Sequence, residues 1–190
     1  EINNIGKLKL QRIHGSAGVK SLFQEYKNFS VKTFKERGDI SAFEDTKRCQ
    51  FYKEVLLAFD NKSRLDAHKL SVGHHTLGIS FGYRFGKGFK WILTTFNPDF
   101  YKLRPGHLLI EALINEAIRN EDPFFDMYYG GEVFYKQQWH PQMIPLKRIE
   151  ICRNNIFNKS ISLTRNALRS NKIVMESARK LRKKAKKIFT

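Results

Sequence analysis

Cysteine is scarce in this chain. Among 190 residues only Cys49 and Cys152 carry a thiol. They are far apart and in no spacing that suits a metal, so neither a disulfide framework nor a zinc site is expected, and a reducing compartment is the default. The histidines, His14, His68, His74, His75, His107 and His140, form no cluster with cysteine or carboxylate at ligand spacing, and no structural metal is expected. No apolar run approaches the roughly 20 residues of a membrane span, and no secretory leader pattern opens the chain. A cytoplasmic location follows as the expectation. The first residue is Glu1 rather than methionine, which suits a processed or partial chain.

Acidic residues are the second shortage. Only 18 Asp/Glu stand against 35 Lys/Arg, a net charge of +17. The imbalance is uneven: residues 1–150 hold 23 basic and 17 acidic residues, whereas residues 151–190 hold 12 basic residues against the single Glu176. The basicity belongs mostly to the C-terminal stretch, and it predicts attraction to something anionic.

What is present is globular material. Apolar residues make up 41% and aromatics 13%, led by sixteen Phe, which is not the composition of a disordered chain. The length suits one domain of residues 1–152 with a helical tail of 153–190. Leu8–Ile13 reads as a short strand. Leu22, Phe23, Tyr26, Phe29 and Phe34 recur at helical steps over Val19–Arg37. Gly38-Asp39 breaks that helix, and Ser41 with Glu44 forms a capping box for a second one, Ala42–Asn61. The period then changes. Leu65–Ser71, Thr76–Phe85 and Phe89–Phe96 are rich in β-branched and aromatic residues and are separated by Gly73 and Gly86-Lys87-Gly88, so an antiparallel meander is expected. A loop from Pro98 to Pro105 leads into a helix from Gly106 to about Asn120. Phe124–Tyr128 reads as a short buried strand, Glu132–Gln138 as a short helix and Ile144–Ile151 as a further strand. Together these give an α+β fold, a mostly antiparallel sheet flanked by helices.

The stretch from Phe89 to Pro141 carries the functional reading. An aromatic strand runs into Phe96-Asn97-Pro98-Asp99-Phe100-Tyr101-Lys102-Leu103-Arg104-Pro105-Gly106-His107-Leu108, and after the next strand comes Gly131-Glu132-Val133-Phe134-Tyr135-Lys136. A helix start presents unpaired N–H donors and about half a positive charge. Gly106 lets a backbone approach an anion without a Cβ between them, and Arg104 adds a cation. Pro105 removes one donor. Asp126, between apolar neighbours, needs a partner if buried and suits an anchor for the loop. Lys136 reads as facing solvent or an acceptor. The pair His74-His75 reads as a surface turn, with a base beside an acceptor cleft as the other option.

In this order of elements the chain resembles GNAT acyltransferases, and within them the acetyltransferases of bacterial cellulose and capsule synthesis (the CelD/BcsL type). Pro98, Tyr101, Pro105-Gly106, Phe125-Asp126, Gly131-Glu132 and Tyr135-Lys136 fit that subgroup in order. Aligned on Gly106, the usual GNAT loop pattern is departed from at Leu103 and Leu108. The resemblance implies a GNAT-like sheet and acetyl-CoA or another acyl-CoA as donor substrate, held by Phe96, Arg104, Pro105, Gly106, His107 and Leu108. Tyr135 would be the general acid to the departing thiolate, with Glu132 and His107 as further catalytic candidates. It implies a small-molecule or glycan amine, such as an amino sugar, as acceptor, and a single or truncated version of a two-part architecture.

Two alternatives share these features. One is an aminoacyl-tRNA-dependent transferase of the related FemABX kind, for which tRNA would be the partner. The other is an inactive GNAT-fold binding or scaffold module. Residues 160–189 read as a basic amphipathic helix, with Ala167, Val174, Ala178, Leu181, Ala185 and Ile188 along one stripe. Such a helix would lie on an anionic membrane surface, placing the protein peripherally at the inner membrane, or bind an acidic protein partner.

Overall fold

The first local decision is made by caps. Ser41 Oγ accepts from Phe43 N–H at 3.2 Å while Glu44 accepts from Ser41 N–H at 3.0 Å. The capping box is therefore present, but it closes only a 3-10 turn, Ala42–Glu44. Asp45 then caps the true helix, accepting from Lys47 N–H and Arg48 N–H. The expected single helix from Ala42 is thus a turn followed by a helix, because two good N-cap residues stand four positions apart and each satisfies its own set of donors.

The computed structural model describes residues 6–128 and 134–145. In chain order the elements are β1 (Leu8–Ile13), α1 (Ser16–Glu36), the 3-10 turn, α2 (Thr46–Asn61), β2 (Leu65–Val72), β3 (His75–Phe85), β4 (Gly88–Phe96), a 3-10 turn (Pro98–Leu103), α3 (Pro105–Arg119), β5 (Phe125–Asp126) and α4 (Phe134–Gln137). All lie in one compact unit, Glu1–Gln142; a second unit is Met143–Thr190. The amphipathic helix expected over 160–189 lies outside the described residues, as does the strand expected over Ile144–Ile151 from Leu146 onward. Ile144 and Pro145 are in no strand. Among the described residues no helix is long and apolar enough to cross a membrane.

The sheet has the order β1-β2-β3-β4-β5, antiparallel throughout except for the parallel pair β4–β5. This is the expected mixed, mostly antiparallel sheet flanked by helices. α1 and α2 bury Val19, Leu22, Phe23, Tyr26 and Leu56 against Ala67, Ile79 and Phe81. Helix α3 covers the other face, with Leu109 and Leu113 against Leu70 and Val72. Ile110 of α3 meets Phe89 and Trp91. Phe81 is fully buried and meets Phe23 and Tyr26 edge-on, at ring centroids of 6.3 and 5.7 Å. Phe81→Ala is expected to cost about 3–5 kcal/mol, since the rigid neighbours cannot close the void; a denaturant titration monitored by circular dichroism measures it.

β4 does not keep one alternation. Trp91 pairs with Gly82 and Leu93 with Phe81, so Ile92 is an extra residue without an opposite number. A strand alternates its faces with period two, and one inserted residue flips everything after it. Phe89 and Trp91 accordingly pack under α3, while Leu93 packs with the α1–α2 core.

Candidate active site

The site is assembled where β4 ends. Asn97 fastens that exit three ways: its N–H donates to Leu77 O at 2.8 Å, its Nδ2 to Thr76 O at 3.2 Å, and its Oδ1 accepts from Asp99 N–H at 3.1 Å. The chain then makes the 3-10 turn and reaches Arg104, which is left-handed at φ 50° and ψ 53°. Non-glycine residues there are strained by about 1 kcal/mol, and the strain aims the next residue into a helix. Pro105 occupies the first helical position, one residue before the expected start; its fixed φ suits that position and its missing N–H is not needed there.

The donors at this helix start are few. Arg104 O accepts from His107 N–H at 2.9 Å and from Leu108 N–H at 3.3 Å. Pro105 has none to give. Gly106 N–H therefore stands as the first-turn donor without a described acceptor. A Cβ built on Gly106 would meet only the Phe96 ring, at an ordinary 3.8 Å. Contrast Gly82, where a Cβ would collide with the ring of Phe89. The protein needs glycine at 82 for its own packing and does not need it at 106. The space at 106 faces outward, beside Phe96. Of the six residues expected to hold a donor, Phe96, Arg104, Pro105, Gly106, His107 and Leu108 thus share one corner, with Leu108 packed inward against the α3 core.

The second half of the site comes from β5. Phe125 and Asp126 pair with Phe89 and Lys90, and there the pairing stops. The expected strand over Phe124–Tyr128 is only these two residues. Asp126 explains the stop. Its Oδ2 takes Lys90 Nζ at 3.1 Å and its Oδ1 accepts from Tyr128 N–H at 2.7 Å, at a residue whose φ is 58°. The carboxylate ties β5 to β4 and turns the chain away in the next two residues. From Trp91 to Phe96 the edge of β4 has no strand partner among the described residues. A free edge presents backbone N–H and C=O groups able to pair with an extended ligand.

After residues 129–133, which lie outside the described residues and include the expected Glu132, comes α4. Tyr135 is 37% exposed, and burial pushes its phenol above the usual range. Lys136, expected to face solvent or an acceptor, does not face solvent: it is 6% exposed and donates from Nζ to Met127 O just beyond β5. One turn on, Trp139 lies against His107, ring centroids 6.1 Å apart. That contact brings the Tyr135 segment to the start of α3. Trp139 also packs against the cluster of Phe89, Trp91 and Ile110, as Phe125 and Met127 do. The indole N–H groups of Trp91 and Trp139 are buried without a partner among the described residues. At the same end of the sheet, the tilted rings of His74 and His75 have centroids 3.8 Å apart, and His75 meets Phe100 of the 3-10 turn at 5.3 Å.

The opposite end of the sheet holds an ionic network that the sequence pattern did not signal. Asp66, fully buried, lies 2.7 Å from Arg12 Nε and 2.7 Å from Arg84 Nε; Arg84 also pairs with Asp122, and His68 Nε2 is 3.5 Å from Asp66. These residues are scattered over β1, β2, β3 and the turn after α3, and only the fold joins them. Burial lowers the pKa of His68 below its ordinary 6.5, against the opposing pull of Asp66. The folded state thus holds His68 neutral where the unfolded chain takes a proton. Stability is full above that ordinary value and falls as pH drops from it toward the lower folded value. The unfolding midpoint is expected to be lower at about pH 5.5 than at about pH 7.5, and His68→Asn to reduce that difference; thermal melts of both proteins at both pH values measure it.

A family model described as Acetyltransferase (GNAT) domain matches residues 3–137. Among solved structures, the chain is similar to a possible acetyltransferase from Clostridium difficile 630, with a TM-score of 0.55 at 11% identity, covering 77% of this chain and 99% of that one. A candidate GNAT family acetyltransferase from Staphylococcus aureus subsp. aureus gives a TM-score of 0.45 at 10% identity over 63% of this chain and 98% of that one. No curated protein matches by sequence.

Proposed function

The chain belongs to the acetyltransferase (GNAT) domain family and is a transferase, and from that premise we propose that it moves an acyl group from acyl-CoA, acetyl-CoA first among them, to an amine. The observation that carries the reading is the wedge. β4 and β5 part after Lys90, α3 starts beside the far end of β4, and Gly106 leaves that start open.

In this reading the donor's pyrophosphate meets the Gly106 N–H, the positive end of α3 and Arg104. Its extended arm lies along the edge of β4 beyond Lys90, which has no strand partner among the described residues. A neutral amine attacks the thioester carbonyl. The oxyanion is stabilised by backbone N–H groups of that edge. As the tetrahedral intermediate collapses, the thiolate leaves and takes a proton from Tyr135. Its raised pKa keeps the phenol protonated until that moment. The amine's proton goes to a carboxylate or imidazole, for which Glu132 and His107 are the candidates.

The finer assignment is an amino sugar or related amine of bacterial polysaccharide or cell-envelope synthesis, supported by the Pro-Gly turn and the Phe-Asp and Tyr-Lys pairs of the CelD/BcsL type. The basic residues 160–189 would hold such an enzyme at an anionic inner-membrane surface. Calorimetric titration of the purified chain with acetyl-CoA tests the donor. Saturable binding is expected. Its absence from a folded sample would move the weight to an aminoacyl-tRNA donor or to an inactive scaffold module, the latter being the reading in which Leu103, Pro105 and Leu108 keep a phosphate from the helix start.

A further inference from the structure

A lysine that is 6% exposed needs a reason. Lysines keep the ammonium in water unless a partner satisfies it, because burying the charge is costly. Here the partner is a carbonyl: Lys136 Nζ donates to Met127 O. Met127 directly follows Asp126, the carboxylate that fastens β5 to Lys90 of β4 and turns the chain at Tyr128. The negative charge of Asp126 also acts on Lys136, holding its pKa up against the lowering by burial. The ammonium therefore joins the helix that carries Tyr135 to the point where β4 and β5 part.

The helix cannot hold itself. α4 is four residues, Phe134–Gln137, and a single helical turn is unstable without tertiary contacts. Two of the described contacts fix it at its ends of travel: the Lys136 bond to the end of β5, and Trp139 against His107 at the start of α3. Tyr135 lies next to the first and one turn from the second. Rotation of this turn would move a phenol that is already 37% exposed further into solvent.

We propose that Lys136 is a positioning residue, fixing the turn that carries Tyr135 against the end of β5 by binding its own ammonium to Met127 O. This rests on the reading of Tyr135 as general acid. Lys136 touches neither donor nor acceptor in this role, and no step of the transfer uses its proton.

The test places 3-fluorotyrosine at position 135 of the full chain and records the 19F resonance and its titration, in otherwise wild-type protein and with Lys136→Met or Lys136→Arg. The expected result is a shift of the line toward that of an exposed fluorotyrosine and a fall of the titration midpoint in Lys136→Met, with both restored in Lys136→Arg. An unchanged line and midpoint in Lys136→Met overturns the proposal. Should that variant not fold, Lys136→Gln, too short to reach but still polar, is read in the same way. In parallel, thiol release from acetyl-CoA with glucosamine as probe amine is followed for Lys136→Met, Tyr135→Phe and the double variant. Lys136→Met is expected to lower kcat on the order of tenfold with KM for acetyl-CoA unchanged, and to have little further effect in the Tyr135→Phe background. Equal effects in both backgrounds would sink the positioning role alone. Wild-type turnover by Tyr135→Phe would sink the general-acid reading, whatever the fluorine line shows.

Discussion

Gly106→Glu is expected to weaken acetyl-CoA binding by at least about a hundredfold, while Gly106→Ala stays within a few-fold of wild type and both variants melt at or above the wild-type temperature. The contrast follows from what surrounds position 106. A methyl group there touches only Phe96 at 3.8 Å, and in a helix alanine is favoured over glycine by about 1 kcal/mol. Alanine therefore fits and steadies the helix. A glutamate also fits, since nothing inside the protein fills the space, but it puts a carboxylate where a phosphate would sit. It also competes for the lone first-turn N–H. Calorimetry on the three proteins, each with a melting curve, makes the measurement. Equal affinity in all three would place the donor elsewhere.

The second large effect concerns chemistry rather than binding. Tyr135→Phe is expected to lower kcat about a hundredfold, the lower part of the range for loss of a general acid, with KM for acetyl-CoA unchanged. Removing one oxygen from a partly exposed ring leaves the packing of α4 as it was, so the fold should not respond. The pH profile carries a second signature. Burial raises the Tyr135 phenol above its ordinary value of 10.0. The protonated acid is then present across the whole neutral range, and the alkaline fall in kcat is expected above that value. Steady-state rates across pH for both proteins measure the two effects together. A drop in affinity with unchanged kcat would instead make Tyr135 a donor contact.

Much of this was legible because it is local. The aromatic and β-branched runs of β2, β3 and β4 announced a meander, and the helical spacing of Leu22, Phe23 and Tyr26 announced α1. The chain order from Phe96 through Gly106 to Tyr135 placed the candidate site in one corner. What escaped depends on partners distant in sequence. Asp66 and His68 sit in a run that reads as ordinary strand; only its pairing with β1 and β3 brings up Arg12 and Arg84. Lys136 read as facing solvent or an acceptor, because a bond to a backbone carbonyl such as Met127 O is something no side-chain pattern can show. β5 was read too long because Phe124, Met127 and Tyr128 flank it with side chains much like that of Phe125, and the residue that ends it is its own second member, Asp126. Ser41 gave the right cap for the wrong helix, since Asp45 takes over four residues later.

The extra residue in β4 divides that strand into two independent texts. Up to Trp91, side-chain choices answer to Ile110 and Phe125; from Leu93 they answer to the cluster around Leu22 and Phe81. Deleting Ile92 would leave both texts legible, since Leu93 would follow Trp91 directly and still stand opposite Phe81. A deletion at Thr94 would instead put Thr95 where Thr94 stands, so that the loss of one residue miswrites the rest of the strand. Ile92 is therefore a letter of β4 that can be dropped with both halves keeping their grammar.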